Sequence, residues 1–133
     1  VSWTAEDRDR ARAALIALVE ALPSGRAEDA YGHTGFFAGK KRFAWLLVDH
    51  HGDGRLAVCI KAPPGELEAL VEADPRQYFV PAYLGANGWV GVNVDPTSNP
   101  DWKGIAALLE QGWRMSAGKR AIAELDARRR GGT

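Results

Sequence analysis

The spacing of apolar residues changes once early in the chain, and that change confines it to a mixed fold. Before Pro23, the residues Ala11, Ala14, Leu15, Leu18, Val19 and Leu22 recur at helical spacing, one continuous stripe for core packing. Thr4 offers a capping hydroxyl, and Glu6 and Asp7 put negative charge in the first turn, where the helix dipole favours it. Pro23-Ser24-Gly25 end this helix. Arg8, Arg10 and Arg12 are interleaved with Glu6, Asp7 and Asp9, which reads as a solvated helix face. Across residues 31–61 the pattern is that of strands. Residues 34–38, 41–48 and 55–61 form a predicted antiparallel meander, joined by Gly39-Lys40 and by the polar turn Asp49-His50-His51-Gly52-Asp53-Gly54.

Pro63-Pro64 then stop the sheet and open a helix with Glu66 and Glu68 in its first turn and Leu67, Leu70 and Val71 facing inward. Two short strands follow, at 78–80 and 88–94, separated by a loop rich in turn formers. The last helical region is expected to use Asn99 as N-cap with Pro100 at its first position. Ile105, Leu108, Leu109 and Trp113 continue it, and Gly112 and Gly118 are expected to bend or interrupt it before residues 119–129. The order α-βββ-α-ββ-α(α) predicts an α+β fold, an antiparallel sheet packed with helices. With 133 residues the chain has room for one core, hence one domain over residues 1–133, with 1–3 and 130–133 expected to be flexible.

Lys and Arg balance Asp and Glu at 17 each, but unevenly. Residues 62–101 carry one positive and six negative groups, and residues 103–133 carry seven positive and three negative. The neutral total argues against strong non-specific DNA binding, whereas the basic last third leaves room for a local anion-binding face. The single cysteine, Cys59, lies in Leu56-Ala57-Val58-Cys59-Ile60 and reads as a small buried hydrophobe. A chain without disulfides suits a reducing cytoplasm, and no apolar stretch is long enough for a membrane helix.

Several local signatures, taken in order, resemble the MmcQ/YjbR family of small bacterial proteins. They are Ala21-Leu22-Pro23 at the end of the first helix, Gly39-Lys40-Lys41-Arg42-Phe43-Ala44 leading into a strand, and Leu56-Ala57-Val58-Cys59-Ile60-Lys61. Pro81, Tyr83 and Trp89-Val90 follow, and then a last helix carrying Gly112-Trp113-Arg114 and Lys119. The resemblance spans about residues 12–125. It implies a secretion-chaperone-like α+β fold, also described as a double-wing DNA-binding arrangement. Gly112-Trp113 departs from the Ser-Tyr of many relatives, and the 49–54 turn with its paired histidines is individual to this chain.

No phosphate-binding loop, dinucleotide-binding glycine pattern, nucleophile elbow or paired-cysteine motif is present, so the chain reads as a binding domain without enzymatic activity or cofactor. His50-His51-Gly52-Asp53 is the best metal candidate, but adjacent histidines point apart and need ligands from elsewhere, so no metal site is assigned. His33 with Glu28 or Asp29 is a candidate acid–base pair, with loop packing the simpler role. DNA is the partner that the resemblance implies. Lys40, Lys41 and Arg42 on a hairpin, with Arg114, Lys119 and Arg120 on the last helix, could straddle phosphates. Arg128-Arg129-Arg130 reads as a tail. The alternative is a small aromatic ligand or a partner protein in a groove among Tyr83, Trp89, Trp102 and Trp113, with Tyr83 and Trp89 most exposed and Trp45 and Trp113 in the core. A monomer and a homodimer are both compatible with the sequence.

Overall fold

A computed structural model gives the fold and describes residues 2–131. Val1, Gly132 and Thr133, parts of the two ends expected to be flexible, lie outside the described residues. Helix α1 spans Ala5–Glu20 and begins as its sequence requires. The Thr4 hydroxyl accepts the Asp7 N–H at 3.1 Å while the Asp7 carboxylate accepts the Thr4 N–H at 2.8 Å, a reciprocal cap. Ala11, Leu15, Val19 and Leu22 of the stripe are buried.

The first departure comes directly after α1. Strand β1, Gly25–Ala30, precedes β2, His33–Ala38, and the two pair antiparallel. The predicted three-stranded meander therefore has four strands. Its added member, Gly25-Arg26-Ala27-Glu28-Asp29-Ala30, has neither a β-branched nor a large apolar residue, so nothing in it alternates visibly. It is an edge strand that β2 holds on one side only. Gly25 is obligatory at its start, since a Cβ there would lie 1.9 Å from the Val19 carbonyl oxygen.

Strands β3, Lys41–Val48, and β4, Leu56–Ile60, complete the meander. Helix α2, Glu66–Ala73, leads to β5, Tyr78–Phe79, and β6, Val90–Asn93; α3, Trp102–Ser116, and α4, Lys119–Gly131, follow. The six strands lie in the order β1-β2-β3-β4-β6-β5, every neighbouring pair antiparallel. The α+β class stands, with helices α1 and α3 against the sheet. Register carries Leu46, Val58 and Val92 in one row, and Ala44, Ile60 and Val90 in the next, into the core under those helices. Trp113 is fully buried there, its indole N–H donating to the Pro23 carbonyl at 3.0 Å.

Several local expectations change. Asp101, not Asn99, caps α3 by accepting the Gly104 N–H at 3.1 Å. Asn99 is left-handed (φ 48°) and closes a short 3₁₀ turn, a conformation that a helix N-cap does not adopt. Gly112 does not bend α3; its missing side chain lets the helix sit against Lys61, and the break falls at Ala117-Gly118. Arg128 and Arg129 are not a tail but part of α4, paired with Glu124 and Glu110. Trp3 is tied down by donating its indole N–H to the Gly54 carbonyl at 2.9 Å. No helix among the described residues is long and apolar enough to cross a membrane.

Candidate binding surfaces

Strand alternation sends a second set of residues to the sheet face opposite α1 and α3. The register joins Gly35, Trp45, Cys59, Gly91 and Phe79 in one row across five strands. Phe37 and Arg42 pair beside it, past the bulge at Phe36/Phe37. The Arg42 guanidinium lies 4.1 Å from the Trp45 ring centroid and 5.0 Å from that of Phe37, and Arg26 covers Phe37 at 4.2 Å. Trp45, expected in the core, is half-buried on this second face, because it alternates with Ala44 and Leu46.

The basic residues separate into two kinds. Lys40 occupies the β2–β3 turn, Lys41 opens β3, and Lys119 and Arg120 open α4. Gly39 of that turn and Gly118 and Arg120 before and within α4 line one shallow cavity of about 260 Å³, so the hairpin and the helix share an edge. Lys40, Lys41, Lys119 and Arg120 make no side-chain hydrogen bond or ion pair among the described residues. Arg114 is different. It donates to Glu110 at 3.0 Å and to Asp126 at 2.8 Å, and these bonds, Asp126 first, raise its pKa. Glu110 also accepts from Arg129 at 2.5 and 2.8 Å, and Arg129 is the main cause holding its carboxyl below the usual value. Arg114 is thus taken up in fastening α4 to α3.

The 49–54 turn folds over the far end of the second face. The His50 ring lies 4.0 Å from His51 and 5.3 Å from His33, and Tyr83 meets His51 edge-on at 5.8 Å. His33 is not an acid–base partner of Asp29. Its Nδ1 accepts the Val48 N–H at 3.0 Å, and burial, reinforced by His50, lowers its pKa. Asp29 is held instead by Arg12 at 2.7 and 3.2 Å and by Thr34 at 2.8 Å. Among the described residues no group of three or more His, Cys, Asp or Glu side chains is arranged to hold a metal ion.

Nor do the four aromatic residues of the second half form one groove. Trp113 is core, Trp102 lines a cavity beside α1, Trp89 is half-buried, and Tyr83 is 79% exposed. A smaller cavity of about 130 Å³, which no local sequence pattern announces, lies between the histidine turn and the loop after β5. Leu47, Ala57 and Cys59 line it together with His50, His51 and Asp53. Cys59 is buried as expected, and burial pushes its pKa up to about 12.

The model of the YjbR family matches residues 20–115. The chain belongs to the YjbR family. Among solved structures, this YjbR chain is similar to the crystal structure of Deinococcus radiodurans protein DR2400, described as a DUF419 domain. The TM-score is 0.62 at 20% identity, over 84% of this chain and 85% of that one, which establishes a shared fold. No curated protein matches the chain. Helix α4, with Lys119 and Arg120, lies beyond the segment that the YjbR model matches.

Proposed function

We propose that this YjbR domain is a non-enzymatic nucleic-acid-binding module of the DNA-binding kind that its family resemblance implies. Phosphates would be held at the edge where the β2–β3 hairpin meets the start of α4. The supporting observation is that the hairpin and the start of α4 border one cavity, lined by Gly39, Gly118 and Arg120, and that Lys40, Lys41 and Lys119 beside these residues, like Arg120, have no acidic partner; Glu124 on the same cavity is paired with Arg128. Arg42 extends the positive surface onto the second sheet face, while Arg114 stays outside the interface because Glu110 and Asp126 neutralise it. A chain with zero net charge has little long-range attraction for DNA, so binding should depend on these few cations.

Four phosphate contacts predict a slope of log affinity against log salt of about −3.6 on a duplex and about −2.8 on a single strand, which weakens binding by roughly 150-fold and roughly 50-fold between about 50 and 200 mM salt. Fluorescence anisotropy with labelled oligonucleotides measures it. The double substitution Lys40→Ala/Lys41→Ala should reduce the slope by about half. Absence of binding at low salt, or a slope that the double substitution leaves unchanged, would refute the proposal.

A further inference from the structure

Resting on that reading, we infer that the nucleic acid is single-stranded and that one unstacked pyrimidine base occupies the cavity beneath the 49–54 turn. Size is the first reason. A cavity of about 130 Å³ resembles the roughly 150 Å³ apolar cavity that takes benzene, so one six-membered ring fits and a purine does not. Chemistry is the second. Leu47, Ala57 and the protonated thiol of Cys59 offer apolar surface to the flat of a ring. His50, His51 and Asp53 stand around it. A carboxylate can accept a ring N–H or exocyclic amine, and an imidazole N–H can donate to a ring carbonyl, which is the pattern on a pyrimidine edge. The Asp53 carboxylate also disfavours a small anionic occupant.

The walls are built in advance of any ligand. Asp49 (φ 49°), His51 (φ 55°) and Tyr83 (φ 64°) are non-glycine residues held in the left-handed region on the two loops that meet here. The Asp49 carboxylate accepts the Gly54 N–H at 2.7 Å, Asp53 accepts the Arg55 N–H at 2.9 Å, and Trp3 holds the Gly54 carbonyl. These bonds fix the turn over the sheet. Position is the third reason. Arg42, Trp45 and Leu47 run along β3 on the same face, so a strand leaving the basic hairpin reaches the cavity over about 16 Å of β3. On the way it crosses the exposed side chain of Arg42, which lies over the Trp45 ring; guanidinium and aromatic groups are both surfaces on which bases stack. A paired base cannot enter, which excludes a duplex from this mode.

Anisotropy titrations of short oligo(dT), oligo(dA) and duplex DNA at one fixed salt concentration test this. Oligo(dT) should bind at least about tenfold tighter than the others, the factor that one held base contributes. Ala57→Leu, which fills the cavity, should remove that preference and leave the salt slope intact, while Lys40→Ala/Lys41→Ala should do the reverse. Equal affinities for the three DNAs, or a folded Ala57→Leu protein that keeps its preference, would overturn the inference. Should Ala57→Leu fail to fold, thymidine titrated against the unaltered protein decides: a saturable shift of the His50 and His51 ring resonances supports the cavity, and flat resonances at millimolar thymidine overturn it. If no DNA binds at all, the phosphate edge fails, and the thymidine titration still reports separately on the cavity.

Discussion

Replacing Gly112 by Ala should destabilise the protein even though it replaces a poor helix former with the best one. In an exposed helix interior the exchange favours alanine by about 1 kcal/mol. Here the new Cβ would lie 2.8 Å from the Lys61 carbonyl oxygen, 3.0 Å from Ile60 Cγ2 and 3.3 Å from Phe43 Cδ2. None of these can yield easily. Lys61 donates its N–H to the Phe43 carbonyl at 2.8 Å, which ties the contacted strand end to β3, and Ile60 and Phe43 are both buried in the core. Lifting α3 off the sheet would also disturb Trp113, whose indole bonds Pro23. Overpacking of this kind costs about 1–3 kcal/mol, and a 2.8 Å approach to backbone puts it in the upper part of that range, about 2–3 kcal/mol, so after the propensity gain the net loss should be about 1–2 kcal/mol. With a urea dependence of about 2 kcal/mol/M, the unfolding midpoint should fall by roughly 0.5–1 M, read from tryptophan emission. Gly118→Ala is the internal control, because no atom lies within 4 Å of a Cβ there. The Gly118 carbonyl accepts the Ile122 N–H as the N-cap of α4, where glycine is preferred to alanine, and this offsets the gain from the unfolded chain, so stability should stay within about 0.5 kcal/mol of the parent. A Gly112→Ala protein as stable as its parent, with the same urea dependence, would refute the claim that α3 requires this glycine for its close approach to β4.

Three further outcomes follow from the charges and the thiol. The Glu110 carboxyl is held down mainly by Arg129, with burial opposing and Arg114 adding to the effect, so its contribution is full above about pH 4.5 and is lost as pH falls through its lowered folded value. Glu110→Gln should therefore lower stability at neutral pH and flatten the acid limb of a stability–pH curve; an unchanged acid limb would show that this carboxylate is not the linked group. Arg114→Ala should leave DNA affinity unchanged in the anisotropy assay, with a stability loss of under about 1 kcal/mol because its partners are partly exposed. Cys59, with its pKa pushed up to about 12, should resist a disulfide reagent at pH 8 until the protein is unfolded in denaturant, and rapid labelling of native protein would contradict its placement.

What the sequence made legible depended on how local each signal was. The cap at Thr4 and the stripe ending at Leu22 are satisfied within α1 and its core face, and both are present in the fold. The length of β3 and the apolar run of β4, including buried Cys59, were equally plain. Strand β1 was not, because Arg26, Glu28 and Asp29 are tolerated on a half-exposed edge strand whose pairing is supplied wholly by β2. Asp101 does not stand out as a cap because Asn99-Pro100 carries the stronger local signature, which the left-handed conformation of Asn99 cancels. Alternation along β3 could not assign Trp45, because it groups Trp45 with Phe43, and only the bulge, which sends Phe43 and Ala44 both into the core, turns Trp45 to the second face.

The sequence alone determined the α+β class, the first helix, the central strands and the resemblance to the YjbR family, since hydrophobic period and capping are read within a few residues. Only the tertiary structure decided which cations are free. Arg114 and Lys119 are five positions apart in one basic segment, yet α4 folds Asp126 and Arg129 back beside α3, so Arg114 is neutralised and Lys119 is not. The same holds for the cavity: Leu47, Asp53, Cys59 and Pro81 meet because two loops close over one sheet face. Charge pairing and enclosed volume arise between residues far apart in the chain, and no periodicity in the sequence encodes them.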